Sequence, residues 1–100
     1  MRLSKEQIQV IKDILSRKPV LRAFVFGSFA RDEADNDSDI DLLVELDYTQ
    51  HIGLGFVAIQ QELEDMLHHK VDLVSAGGLS NRLRPYIDQE KQMIYEKASG

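Results

Sequence analysis

The sequence contains no cysteine, only 2 prolines and 6 glycines, and fewer basic than acidic residues, 12 against 17. Without cysteine there is no disulfide framework, no thiolate metal site and no cysteine nucleophile, and a reducing compartment suits such a chain. The opening residues MRLSKEQIQ lack an apolar leader core, and no uninterrupted apolar run approaches the roughly 18 residues of a membrane span. A soluble, cytoplasmic protein with no membrane association is expected. Few breakers and 43% hydrophobic residues suit one modest core, so a single domain is expected over residues 1–100. The charge imbalance is local: 8 of the 17 acidic residues lie between Asp32 and Asp47. That block repels a nucleic-acid backbone, which argues against direct nucleic-acid binding, and it attracts divalent cations.

Local patterns give the element order. Ser4 with Gln7 three positions on is a capping box. Ile8, Ile11 and Leu15, flanked by Val10 and Ile14, form a helical apolar face to about Arg17, and Pro19 stops it. VLRAFVFG reads as a strand ending at Gly27, and SDIDLLVEL as a second. In the second, Ser38, Ile40, Leu42, Val44 and Leu46 share one face, and Asp39, Asp41, Leu43 and Glu45 the other. Helical spacing returns from about Ile52 to His69, with Phe56, Ile59, Leu63, Met66 and Leu67 on one side. KVDLV is a short strand, LSNRLRPYIDQEK a short helix with Pro85 near its start, and QMIYE a final strand. This order predicts an α/β domain with a small mixed sheet covered by helices.

Chemistry concentrates in VFGSFARDEADNDSDIDLLVEL, residues 25–46. Side chains two apart on a strand share a face, roughly 7 Å apart, so Asp39 and Asp41 point the same way. Like charges on a partly buried face repel unless a cation lies between them. Mg²⁺ suits this, because it takes one or two carboxylates with waters and substrate phosphates. Asp72, the lone acid of VDLV, lies on a strand that could pair alongside and complete the carboxylate group. Gly27-Ser28 supplies a turn after a strand, where backbone amides and a hydroxyl can meet an anion, and Arg31 can add a charged fork. Such a cradle beside metal-binding carboxylates suits phosphoryl-type transfer, which needs positioning and charge neutralisation above all. Neither a P-loop nor GxGxxG is present, since GSFARDEA lacks the second glycine and the Lys-Ser/Thr. A calcium loop from Asp35 fails too, with Ile40 at its sixth place and Leu46 at its twelfth.

Gly27-Ser28, ten residues, then Asp39-Ile40-Asp41 resembles the signature of the DNA polymerase β-type nucleotidyltransferase superfamily. With GSFAR, SDIDLLVEL, KVDLV, LRPYI and IYE, the chain from Val20 to Glu96 looks like a minimal nucleotidyltransferase (MNT) domain. The resemblance implies the polymerase β-like palm fold, with Mg²⁺ (two ions) held by Asp39, Asp41 and Asp72. It also implies ATP as substrate, with Gly27 and Ser28 at the triphosphate; the place of Arg31 beside them rests on its spacing alone. Asp72 would additionally help activate the attacking hydroxyl. It implies as partner a HEPN (higher eukaryote and prokaryote nucleotide-binding) toxin, to whose tyrosine AMP is transferred, with this chain as the antitoxin. A purely binding antitoxin, or transfer to a small molecule such as an aminoglycoside, are the alternatives. Asp32 departs from the pattern, where glycine is common after the arginine. Only KASG follows QMIYE, so no second domain is expected over the catalytic face, and the partner is expected to cover the site and present the acceptor.

Plainer roles compete with these. Asp72 could pair with Arg22 or Lys70, Arg31 with Asp35 or Asp37, and Ser28 could cap its turn. Asp32, Glu33, Asp35 and Asp37 read as a solvated loop. His68 and His69 suit a helix end better than a metal, and Tyr48, Tyr86 and Tyr95 read as packing residues.

Overall fold

The structure, a computed structural model, describes residues 1–98. Helix α1 (Lys5–Leu15) leads to β1 (Val20–Phe26), a 3-10 turn (Gly27–Phe29) and β2 (Ile40–Leu46). Then come α2 (Gly55–Leu67), β3 (Val71–Ser75), a second 3-10 turn (Ala76–Gly78), α3 (Arg84–Glu90) and β4 (Gln92–Glu96). The expected α/β order is therefore present, but the helix expected over LSNRLRPYIDQEK forms only from Arg84 to Glu90, because Pro85 suits a first helical turn and not an interior. The Ser4–Gln7 capping box is formed in both directions. Helix α1 closes two residues before Arg17, and β2 begins at Ile40, so Asp39 immediately precedes the strand.

The strand order is β3-β2-β1-β4, antiparallel except for the parallel β2–β3 pair that α2 connects. A parallel neighbour needs a crossover, and the helical stretch between Asp47 and Val71 supplies it. Alternation then divides the sheet's two faces. Ala23, Val25, Ile40, Leu42, Val44, Val71 and Leu73 join α1 and α2 residues, including Ile11, Leu15, Ile59 and Leu63, in the main core. The opposite face carries Phe24, Phe26, Leu43 and Val74 and is covered by Leu79 and Ile87 from the α3 region. Met66, expected on the packed side of α2, is 56% exposed. Ile59, Leu63 and Leu67, spaced four apart, already fill the contact line, and Met66 falls to its edge.

Register orders the second face into three cross-strand rows. Phe26, Asp41 and Asp72 form one, Phe24, Leu43 and Val74 the next, and Arg22 lies across from both Glu45 and Glu96 in the third. Arg22 bonds both glutamates, at 2.7 and 2.9 Å. The apolar middle row is the one α3 covers. The acidic row at its end is left open beside the Gly27 turn.

Candidate active site

Gly27 begins the turn with a φ of +72°, a left-handed conformation that only glycine adopts without strain. A Cβ at this position would stand 2.1 Å from Oδ2 of Asp41. Glycine therefore does two things here: it turns the chain out of β1, and it lets the turn's backbone lie directly against the Asp41 carboxylate. That contact joins the two halves of the sequence motif.

Asp41 is half-buried and paired in parallel register with Asp72. Burial, then the charges of Asp72 and Asp39, push its carboxyl up from 3.8 to about 6, against the opposing pull of Arg31; Glu90 adds a further push upward. Asp39 is half-buried beside it. The backbone around Asp39 is fixed from both sides. The Ile40 amide donates to the Lys70 carbonyl at 2.9 Å, and the His69 ring contacts the Ser38 carbonyl. His69 also meets Phe29 edge-on, with ring centroids 5.6 Å apart. His69 thus has a structural role and His68 closes α2 in a left-handed conformation, at the helix end expected for the pair, although the link of His69 to the motif was invisible in sequence.

Asp72 is exposed and makes no ion pair among the described residues; Arg22, its suggested partner, is taken by Glu45 and Glu96. The Ser28 hydroxyl makes no hydrogen bond among the described residues, so it does not cap the turn, while its carbonyl accepts the Glu33 amide at 2.9 Å. Arg31 does not pair with Asp35 or Asp37. It donates through Nε to Glu33 and through Nη1 to Glu90 at 2.7 Å. The other oxygen of Glu90 accepts the Gly27 amide at 2.9 Å. Glu90 is thus a site residue that sequence reasoning missed.

Asp32 has a φ of 60°, which explains why glycine suits that place; aspartate tolerates the left-handed region better than most residues. Asp32, Glu33, Asp35 and Asp37 are all exposed, as a solvated loop requires. Tyr95 is buried as expected, but Tyr48 and Tyr86 are 67% and 71% exposed and do not pack.

Among the described residues no three acidic, histidine or cysteine side chains form a ready-made metal cage. The donor set nonetheless suits Mg²⁺, which needs only one or two carboxylates and completes its shell with water and phosphate. Asp41 supplies the physical reason: its charge is unfavourable beside Asp72 and Asp39, and a cation would relieve that repulsion. The turn amide, the Ser28 hydroxyl and Arg31 add donors of the kind that bind phosphate oxygens.

The family model described as Polymerase beta, Nucleotidyltransferase matches residues 9–99. A Methanocaldococcus jannaschii chain provisionally named protein adenylyltransferase is 39% identical over 94 residues, covering 91% of this chain and 92% of that one. A solved structure provisionally described as a minimal nucleotidyltransferase superposes with a TM-score of 0.77 at 35% identity, over 88% of this chain and 89% of that one. A chain from the complex of tri-AMPylated Shewanella oneidensis HEPN toxin with MNT antitoxin shares the fold at a TM-score of 0.71. It is 20% identical, over 95% of this chain and 74% of that one. On its motif, its fold and these matches, this chain belongs to the polymerase beta nucleotidyltransferase family.

Proposed function

We propose that this nucleotidyltransferase moves AMP from ATP to a hydroxyl of a partner protein, a HEPN toxin, and so serves as its antitoxin. The observation that carries the reading is the packing of the Gly27 turn against Asp41, which is itself paired with Asp72. Phosphate donors and carboxylates thereby meet at one end of one sheet face. The names of the relative and of the toxin–antitoxin complex support the choice of AMP and of a protein acceptor.

In this reading the Gly27 amide, the Ser28 hydroxyl and the Arg31 guanidinium bind the triphosphate oxygens. Asp39, Asp41 and Asp72 would hold Mg²⁺, as two ions, which supplies neutralisation of the phosphate charge when bound. Asp72 is exposed, so its carboxylate is open to an arriving acceptor and takes up the hydroxyl proton. The acceptor oxygen bonds to the α-phosphorus, the bond from that phosphorus to the bridging oxygen breaks, and pyrophosphate leaves. Asp41 on β2, Asp72 on β3 and Asp39 immediately before β2 are held by the strand pairing, which positions groups better than a free loop does.

The test is transfer of label from α-labelled ATP to the co-encoded partner in the presence of Mg²⁺, with mass spectrometry to locate the added nucleotide. Label is expected on a partner tyrosine with the wild type and on nothing with Asp39→Ala or Asp41→Ala. Labelling by those variants at the wild-type rate would remove the carboxylates from the chemistry. Neutralisation of the partner without any label would favour an antitoxin that works by contact.

A further inference from the structure

Glu90 is the last residue of α3, where the helix's own dipole disfavours a negative charge. It also adds to the repulsion felt by Asp41. Two electrostatic influences therefore oppose its position, and two donors hold it there: the Gly27 amide at 2.9 Å and Arg31 Nη1 at 2.7 Å. These bonds outweigh the burial that would otherwise raise its carboxyl, which stays below the ordinary glutamate value and hence ionised. The side chain is 24% exposed, so it is in contact with solvent as well as with its two donors.

The two donors that hold Glu90 are the same two assigned above to the triphosphate, so the inference rests on that reading. We propose that Glu90 is a tethered competitor for the nucleotide, a carboxylate that occupies the Gly27 amide and the Arg31 fork until a triphosphate displaces it. A ligand needing both donors then binds only to the fraction of molecules from which Glu90 has withdrawn, and its apparent affinity falls by that fraction. Glu90 thereby raises the negative charge a ligand must carry to occupy the site. A triphosphate has further phosphates to spread over Ser28 and the carboxylate-bound cations. A lone phosphate does not.

The experiment is calorimetric titration of the full chain with ATP and Mg²⁺, comparing wild type, Glu90→Gln, Glu90→Asp and Arg31→Ala, with thermal melts of each without ligand. Glu90→Gln removes the competing charge at constant size, and Glu90→Asp shortens the arm so that it cannot span both donors. Both are expected to bind ATP about twofold to fivefold more tightly, the range for one partly exposed charged contact, while melting at or below the wild-type temperature. A merely structural Glu90 would loosen the turn and weaken binding, the opposite sign. Native-like variants that bind ATP no better than wild type overturn the inference. If Arg31→Ala weakens binding in that case, the phosphate reading survives and only the role of Glu90 falls. If Arg31→Ala leaves ATP affinity unchanged, both fall.

Discussion

Asp41→Asn should make the ligand-free protein more stable while destroying its activity. The carboxyl's rise from 3.8 to about 6 means that the folded protein holds a proton which the unfolded chain releases. The sign follows directly: below 3.8 the group costs nothing, between 3.8 and about 6 the cost grows, and above that range it is complete. At 1.36 kcal/mol per pKa unit the upper bound is about 3 kcal/mol, and discounting for half-exposure and solvent screening leaves about 1 kcal/mol. For a domain of this size about 1 kcal/mol moves the melting temperature by roughly 4–8 °C. Asparagine keeps the shape that Gly27 packs against and removes the charge. Melting scans of wild type and Asp41→Asn at about pH 7.5 and about pH 4 would measure the difference, which should be present at the higher pH and absent at the lower. Added Mg²⁺ should raise the wild-type melting temperature and leave Asp41→Asn nearly unmoved. A variant that melts below wild type at neutral pH, or a gap of the same size at both pH values, would refute the electrostatic reasoning.

Gly27→Ala places a Cβ 2.1 Å from Asp41 Oδ2 in a left-handed backbone; a stability loss of about 1–2 kcal/mol is expected in denaturant titrations, with transfer falling at least about tenfold. Asp72→Asn should retain much of the Mg-ATP affinity but transfer orders of magnitude more slowly, because its charge acts on the acceptor; loss of nucleotide binding instead would make it mainly a metal ligand. Ser28→Ala should weaken ATP binding by about 1–2 kcal/mol in calorimetry, the worth of one hydrogen bond to a charged oxygen. Wild-type affinity in that variant would leave Ser28 outside the phosphate site.

The elements legible in sequence were those whose cause is local. The capping box, the stop at Pro19, the alternation of Ile40, Leu42 and Val44 and the αβ order all depend on neighbours within a few positions. The motif residues were legible because glycine before a polar turn and two acids amid apolar residues have few other uses. Asp72 joined them because its strand was short, apolar and interrupted by one acid; its exact place beside Asp41 follows from parallel pairing, which sequence patterning leaves open. Glu90 was hidden for a different reason. It lies 63 positions from Gly27, and nothing in DQEK ties it to the turn. An acid closing a helix was the available signal, since the dipole calls for a compensating donor there. The plainer role weighed for Arg31 was a pair with Asp35 or Asp37, but the chain turns away at Asp32 and the guanidinium reaches Glu33 and, across the fold, Glu90 of α3. His69 was read correctly as structural, though its hold on Ser38, 31 positions back, came only with the fold.

The unequal faces of the sheet bear on how such a protein can change over generations. The main core lies between the sheet and the pair α1 and α2, whereas the opposite face is covered by little more than Leu79 and Ile87. The acidic row, the Gly27 turn and α3 all belong to the thinly covered side. With the acceptor arriving on that side, as proposed above, substitutions that alter its recognition would disturb few buried contacts, so variants with new partners could arise without first passing through unfolded intermediates.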